Sequence, residues 1–186
     1  TSNVAHADPA RPALTIKRAI GETTMHFGLS TIDKVTLEEA RLYGTYKGGQ
    51  LSFGKLDSLI FAKRDGQKGL PDLDLALIDG RARVETDWGL IGAKAEGDGN
   101  LKSGFVGALA VAGPQMAFAG CKADRASAFG KVTTAAGKAR FDGPVRLQSL
   151  RCPGQGLALG TSTVQLGVEL NETFDAAKGT YALNTG

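Results

Sequence analysis

Few residues in this chain have the type and spacing that chemistry requires. The run Gly97-Asp-Gly-Asn-Leu-Lys-Ser-Gly104 carries the Asp, Gly and Asn of a calcium loop. It lacks the closing glutamate and the acidic spacing with which such a loop surrounds its ion, so a hairpin turn is the simpler expectation. Asp72 and Asp74 fall on the same face of an expected strand, and paired carboxylates can share general acid and base work. No nucleophile or partner base accompanies them, and they read as the solvated face opposite Leu73 and Leu75. His26 stands between Met25 and Phe27 on the polar side of a strand, a place for a surface histidine rather than a ligand. Gly97 and Gly99 precede no helix, which removes the helix N-terminus that a phosphate-cradling glycine motif needs. Asn171-Glu-Thr173 has the form of a glycosylation sequon, which has meaning only on a eukaryotic secretory route. This inventory supports no enzymatic activity, no metal and no cofactor.

Cys121 and Cys152 belong to no CxxC pair, and His6 and His26 are the only histidines that could join them. That is too few ligands, badly spaced, for structural zinc. An even count fits one disulfide, with two independent thiols as the alternative; a bonded pair would imply an oxidising compartment such as a periplasm or the cell exterior.

The elements that must carry these residues are strands. Apolar residues fall on every second position in segment after segment, most clearly at Val164, Leu166, Val168 and Leu170 with Thr163, Gln165, Gly167 and Glu169 between them. A period of two marks a strand with one apolar and one polar face. Twenty-six glycines without a collagen period suit the tight turns that join many short strands. The length of 186 residues fits one domain, expected over 13–186, behind a polar terminus at 1–12 that holds two prolines. Lys and Arg (22) and Asp and Glu (19) are interspersed, giving a net charge of +3 with no basic block that would argue for nucleic acid. No run approaches the ~20 apolar residues of a spanning helix. The start at Thr1, without a signal peptide, reads as a mature fragment or piece of a longer protein, with any anchor or targeting segment outside it.

The pattern predicts strands at Leu14/Ile16, Met25/Phe27/Leu29 and Val35 to Tyr46, with the slip at Glu38 and Glu39 read as a bulge. A hairpin follows through Tyr46 to Gln50, then an ambiguous segment at Leu56, Leu59 and Ile60 that could hold a short helical turn. The segment Lys63 to Pro71 reads as a loop. Asp79-Gly80, between Leu73/Leu75/Leu77 and Ala82/Val84/Thr86/Trp88, is a strong local hairpin signal. A second hairpin is expected around Gly97 to Asn100, between Ile91/Ala93/Ala95 and a strand over Leu101 to Val111. Further strands are expected at Met116/Phe118, Ala128 to Thr133, Ala139 to Phe141, Val145/Leu147, Leu157/Leu159, Val164 to Leu170 and Thr180 to Leu183. The fold class is therefore all-β with little helix, an antiparallel meander that ends as an open trough, a sandwich or a barrel.

With no chemistry to serve, the apolar parity becomes the candidate functional element. Phe27, Phe53, Leu75, Val84, Trp88, Phe105, Leu109, Phe118, Val168 and Leu170 are the residues expected to line it. It would be either an ordinary sandwich core or a concave surface for acyl chains, which needs burial and no directional chemistry.

The stretch Gly80-RARVETDWGLIGAKAEGDGNLKSGFVGAL, with Cys121-KADRASAFG and Gly143-PVRLQSLRC152, resembles the AsmA-like superfamily of Gram-negative bacteria, particularly YdbH-type proteins related to TamB. The resemblance covers roughly residues 30 to 185 and rests on repeated patterns. It implies an internal segment of a long periplasmic protein, anchored in the inner membrane through another segment. Such proteins carry phospholipids between the two membranes along a hydrophobic β-sheet groove. The implied partners are acyl chains, flanking segments of the same chain, and proteins of the inner and outer membranes. A periplasmic setting would also permit Cys121 to pair with Cys152. A segment of 186 residues could not span a periplasm alone. The alternative from another class is a secreted β-sandwich acting as a structural or adhesive module, with functional loops at Lys63 to Pro71 and Gln155 to Gly160.

Overall fold

A computed structural model describes residues 2–5, 12–26, 29–48, 50–57, 70–170 and 176–185. Phe27, Leu59, Ile60, most of the expected loop at 63–71 and the sequon at 171–173 lie outside these residues.

The alternation becomes one large mixed sheet. Its central part is a meander of long strands: β7 (Asp74–Thr86), β8 (Gly89–Asn100), β9 (Val106–Gly113), β12 (Arg125–Ala135), β13 (Lys138–Gln148), β16 (Ser162–Leu170) and β17 (Ala176–Thr185). Each pairs antiparallel with the next in that order. On the other side of β7 lie β1 (Ser2–Ala5), β2 (Pro12–Ile16), β3 (Arg18–His26), β4 (Leu29–Glu38), β5 (Arg41–Lys47) and β6 (Gln50–Ser52). The sheet has thirteen strands, and its path ends on β1 and β17, so it is open and does not close into a barrel.

Four short strands form a second sheet. β10 (Met116–Phe118) and β11 (Cys121–Ala123) lie between β9 and β12; β14 (Leu150–Cys152) and β15 (Leu157–Leu159) lie between β13 and β16. The two insertions leave the meander at the same end and pair through Lys122 and Arg151. Cys121 and Cys152 join them as a disulfide.

Three expectations need correction. Asp79-Gly80 is no hairpin turn: it lies inside β7, where Ile78 and Asp79 form a bulge between the Leu77–Gly97 and Gly80–Ala95 pairs. Asp79 takes a left-handed φ of 49°, and Glu39, with φ 50°, bends the neighbouring chain beside it. The Glu39 amide donates to the Ile78 carbonyl and the Arg81 amide to that of Ala40, so the two kinks are bonded to each other. The expected slip at Glu38 and Glu39 is this break, with β4 and β5 on either side. Both pair parallel to β7, the second correction to a purely antiparallel meander. The local Asp-Gly signal reported a real left-handed residue but not its use, because the partner strand that bends with it is remote in sequence. Third, the hairpin between β8 and β9 turns at Leu101 to Gly104 rather than at 97–100, and Phe105 precedes β9.

Candidate functional site

Residues paired across neighbouring strands share a face, so the register assigns each side chain to one side. One row runs Leu42, Ala82, Ala93, Val111, Ala128, Val145, Val164 through seven strands. Another runs Leu77, Gly97, Gly107, Val132, Phe141, Val168. Between and beyond them lie Leu75, Val84, Ile91, Leu109, Leu147, Leu166 and Leu170 on the same side. The face carries no charge over this span.

This face is not a filled core. All of its large aliphatic residues just named, and Phe141, are half-buried, and none reaches the burial of an ordinary core residue. No large side chain of the described residues is fully buried. The chain exposes 11935 Å², where a compact protein of its mass exposes about 8,500 Å².

The direction of curl follows from the glycines. Gly97 faces Gly107, and a methyl group added to Gly97 would come 2.6 Å from the Gly107 Cα. One added to Gly143 would come 2.6 Å from the Gly130 Cα, and one on Gly130 would overlap the Asp142 carbonyl. All four Cα–H bonds point to the apolar side, so at these two places the adjoining strands fold toward it. On the opposite face a methyl on Gly92 meets only the Ala112 carbonyl, at 3.9 Å. The sheet is therefore concave on its apolar side at the β8–β9 and β12–β13 junctions.

Satellites cover parts of this trough. Phe105 is buried with its ring over Gly97 and Gly107. Phe53 lies over Gly44 and packs with Ala13 and Leu56, flanked by Leu14 and Leu42. The short 3-10 turn Gly54–Leu56 supplies this cluster; Asp57 ties it down by accepting from the Phe53 amide at 2.5 Å and the Ser52 hydroxyl at 2.6 Å. At the disulfide end Met116 seats against Gly113, the Ala117 amide donates to the Trp88 carbonyl, and Ala123, Cys152 and Ser162 are buried.

Of the ten residues expected to line the face, Leu75, Val84, Leu109, Val168 and Leu170 share it. Phe53 and Phe105 are plugs at its margins. Trp88 sits in the β7–β8 turn, mostly exposed, with its ring 5.4 Å from that of Tyr46. Phe118 belongs to β10 in the small sheet, where it pairs with Cys121. Ile91, Phe141, Val145 and Leu147 were missed as lining residues, although the same period of two places them there.

The polar face is held by exposed ion pairs. Asp79, in the bulge, accepts from Arg81 at 3.1 Å and Lys94 at 3.3 Å. Desolvation pushes its carboxyl up, but the hydrogen bonds from Lys94 and Arg81 together outweigh it and hold the group below its ordinary range. Arg140 bonds Asp142 through both ends of its guanidinium, at 2.7 and 2.8 Å, which lowers the Asp142 carboxyl against a smaller desolvation effect. Among the described residues there is no cluster of three metal-ligating side chains, and no helix long and apolar enough to cross a membrane. Asp72 accepts from the Asn100 amide and Asp74 is exposed, consistent with solvated carboxylates. No family model, curated protein or solved structure matches the chain.

Proposed function

We propose that this chain is a segment of an AsmA-like periplasmic protein that carries phospholipid acyl chains along the concave apolar face of its sheet. The observation that supports the reading is the face itself: aliphatic side chains from seven consecutive paired strands stand half-exposed on the side toward which the sheet curls. An uncovered surface of this kind gains about 25 cal/mol for each Å² an alkyl chain removes from water, and no catalytic group is required. The cargo is apolar chains in general, since nothing on the face selects a headgroup. The AsmA-like assignment and the periplasmic setting rest on the stretches quoted above. The Cys121–Cys152 bond is compatible with an oxidising compartment.

The test is site-specific photocrosslinking in the native envelope, with the crosslinker at Leu109 or Val168 on the apolar side and at Gln165 on the polar side. Phospholipid adducts are expected from the first two positions and not from the third. Replacing Leu109 and Val168 together by Asp should abolish adducts formed from a crosslinker at Leu166. Adducts that persist in that variant, or equal yield from Gln165, would overturn the reading.

A further inference from the structure

β9 is apolar on both faces. Leu109 and Val111 belong to the trough, yet Val106, Ala108, Ala110 and Ala112 on the other side are also uncharged, inside a face otherwise rich in Arg, Lys, Asp and Glu. Strands that read as continuous apolar runs are those covered on both sides. Within the stripe Val106 is 48% exposed, and beside it Phe129 on β12 is 64% exposed.

Ala110 and Ala112 of the stripe line a depression of about 450 Å³. Its lining comes from three consecutive residues on each of four strands, and the neighbouring apolar-side residues Val84, Ile91 and Leu109 take no part. The hollow therefore opens on the polar face. Its walls there are Arg41, Arg81, Arg83 and Lys94, and its floor is Gly92, Ala110 and Ala112. Arg41 stands directly opposite Arg81, and Arg81 opposite Lys94. Like charges in register oppose each other across a sheet. Asp79 and Glu96 compensate Arg81 and Lys94, whereas no acidic side chain among the described residues pairs with Arg41 or Arg83. Toward Phe129 the hollow continues over Ala108 and Ala110.

We infer that this depression binds a single-chain anionic amphiphile, with a phosphate or carboxylate head between Arg41 and Arg83 and an alkyl tail along Ala110 and Ala108 toward Phe129. Planar guanidinium groups suit such heads, and they strengthen the contact because donor and acceptor are both charged. Floor residues no larger than alanine let an alkyl chain reach the backbone. The floor from Ala112 to Ala108 is about 13 Å long at the usual strand rise. This site is separate from the trough and stands whether or not the trough carries lipid.

The probes are dodecyl phosphate, inorganic phosphate and dodecyl maltoside, each titrated below its micellar concentration into the whole chain by calorimetry. Dodecyl phosphate is expected to bind at least about tenfold more tightly than either of the others, since only it has both an anionic head and an alkyl tail. Arg83→Gln should weaken it about tenfold, the loss of one charge-assisted bond. Ala110→Trp, which fills the hollow from the exposed side, should abolish it. Arg146→Gln, an exposed cation of the same face outside the hollow, should leave it unchanged, with amide spectra confirming the fold of each variant. Equal binding of the maltoside, a preference for the phosphate that survives Ala110→Trp, or a loss through Arg146→Gln as large as that through Arg83→Gln would overturn the site.

Discussion

The meander and the stapled sheet at its end use the same short vocabulary of alternating residues and glycine, yet they solve opposite problems. In the meander, long strands present an apolar side that Phe105 covers only at one margin, and the large aliphatics of β7 to β16 named above stay half-exposed. In the small sheet the strands are three residues each, too short to hold together by pairing alone, and Ala123 and Cys152 are buried around a disulfide. Where the chain needs closure it uses a covalent bond; where it leaves a surface open it relies on long ladders of backbone hydrogen bonds. The contrast separates rigidity from burial, which coincide in ordinary domains.

Removing the staple should have the largest effect. Replacing Cys121 and Cys152 by Ser is expected to cost about 3 to 4 kcal/mol in the chain-entropy model. The loss should be local: hydrogen exchange should accelerate at Met116 to Ala123 and Leu150 to Leu159 while β12 and β13 keep their protection. Uniform acceleration would show that the small sheet is integral to the meander.

A glycine on the trough side comes next. Gly143→Ala should destabilise by about 2 kcal/mol, because its methyl group meets the backbone of the facing strand. Gly92→Ala, on the opposite face with space for a methyl, should be within about 0.5 kcal/mol of neutral. Denaturant midpoints compare the two, and equal costs would contradict the assigned direction of curl.

The smallest effect lies in acid. Asp79 is held below its ordinary range, so its ionised form stabilises the fold. That contribution is present above the ordinary aspartate value of 3.8 and disappears as pH falls through the lower folded value. Asp79→Asn should therefore narrow the gap between melting temperatures at pH 7 and pH 2.5 by a small amount. Asp142→Asn tests the same pattern on β13, where the bonded partner is Arg140 and Lys131 adds a weaker attraction.

The strands were legible because their signal is local: the period of two at Val164 to Leu170 survives intact as β16. Openness was not, since a trough and a sandwich core demand the same alternation and differ only in whether another layer arrives. The parallel pairing of β4 and β5 on β7 depends on a remote crossover, and no neighbouring residue announces it. Trp88 and Phe118 were assigned to the apolar face by parity, but a turn and an insertion interrupt the count just before each. Phe129 carried a readable sign, a large apolar residue set out of step between Ala128 and Gly130, and it marks the exposed side of β12.

Along β7, β8, β9, β12, β13, β16 and β17, spatial order follows chain order, and each strand from β8 onward pairs only with its neighbours in that order. Such an arrangement has no central core whose volume must be conserved when the chain lengthens. A hairpin inserted at any turn would lengthen the ribbon while leaving distant packing untouched, as adding a unit lengthens a solenoid. Its stability should likewise be a sum of neighbour terms, so the ribbon can fray from its outer strands while its middle stays folded.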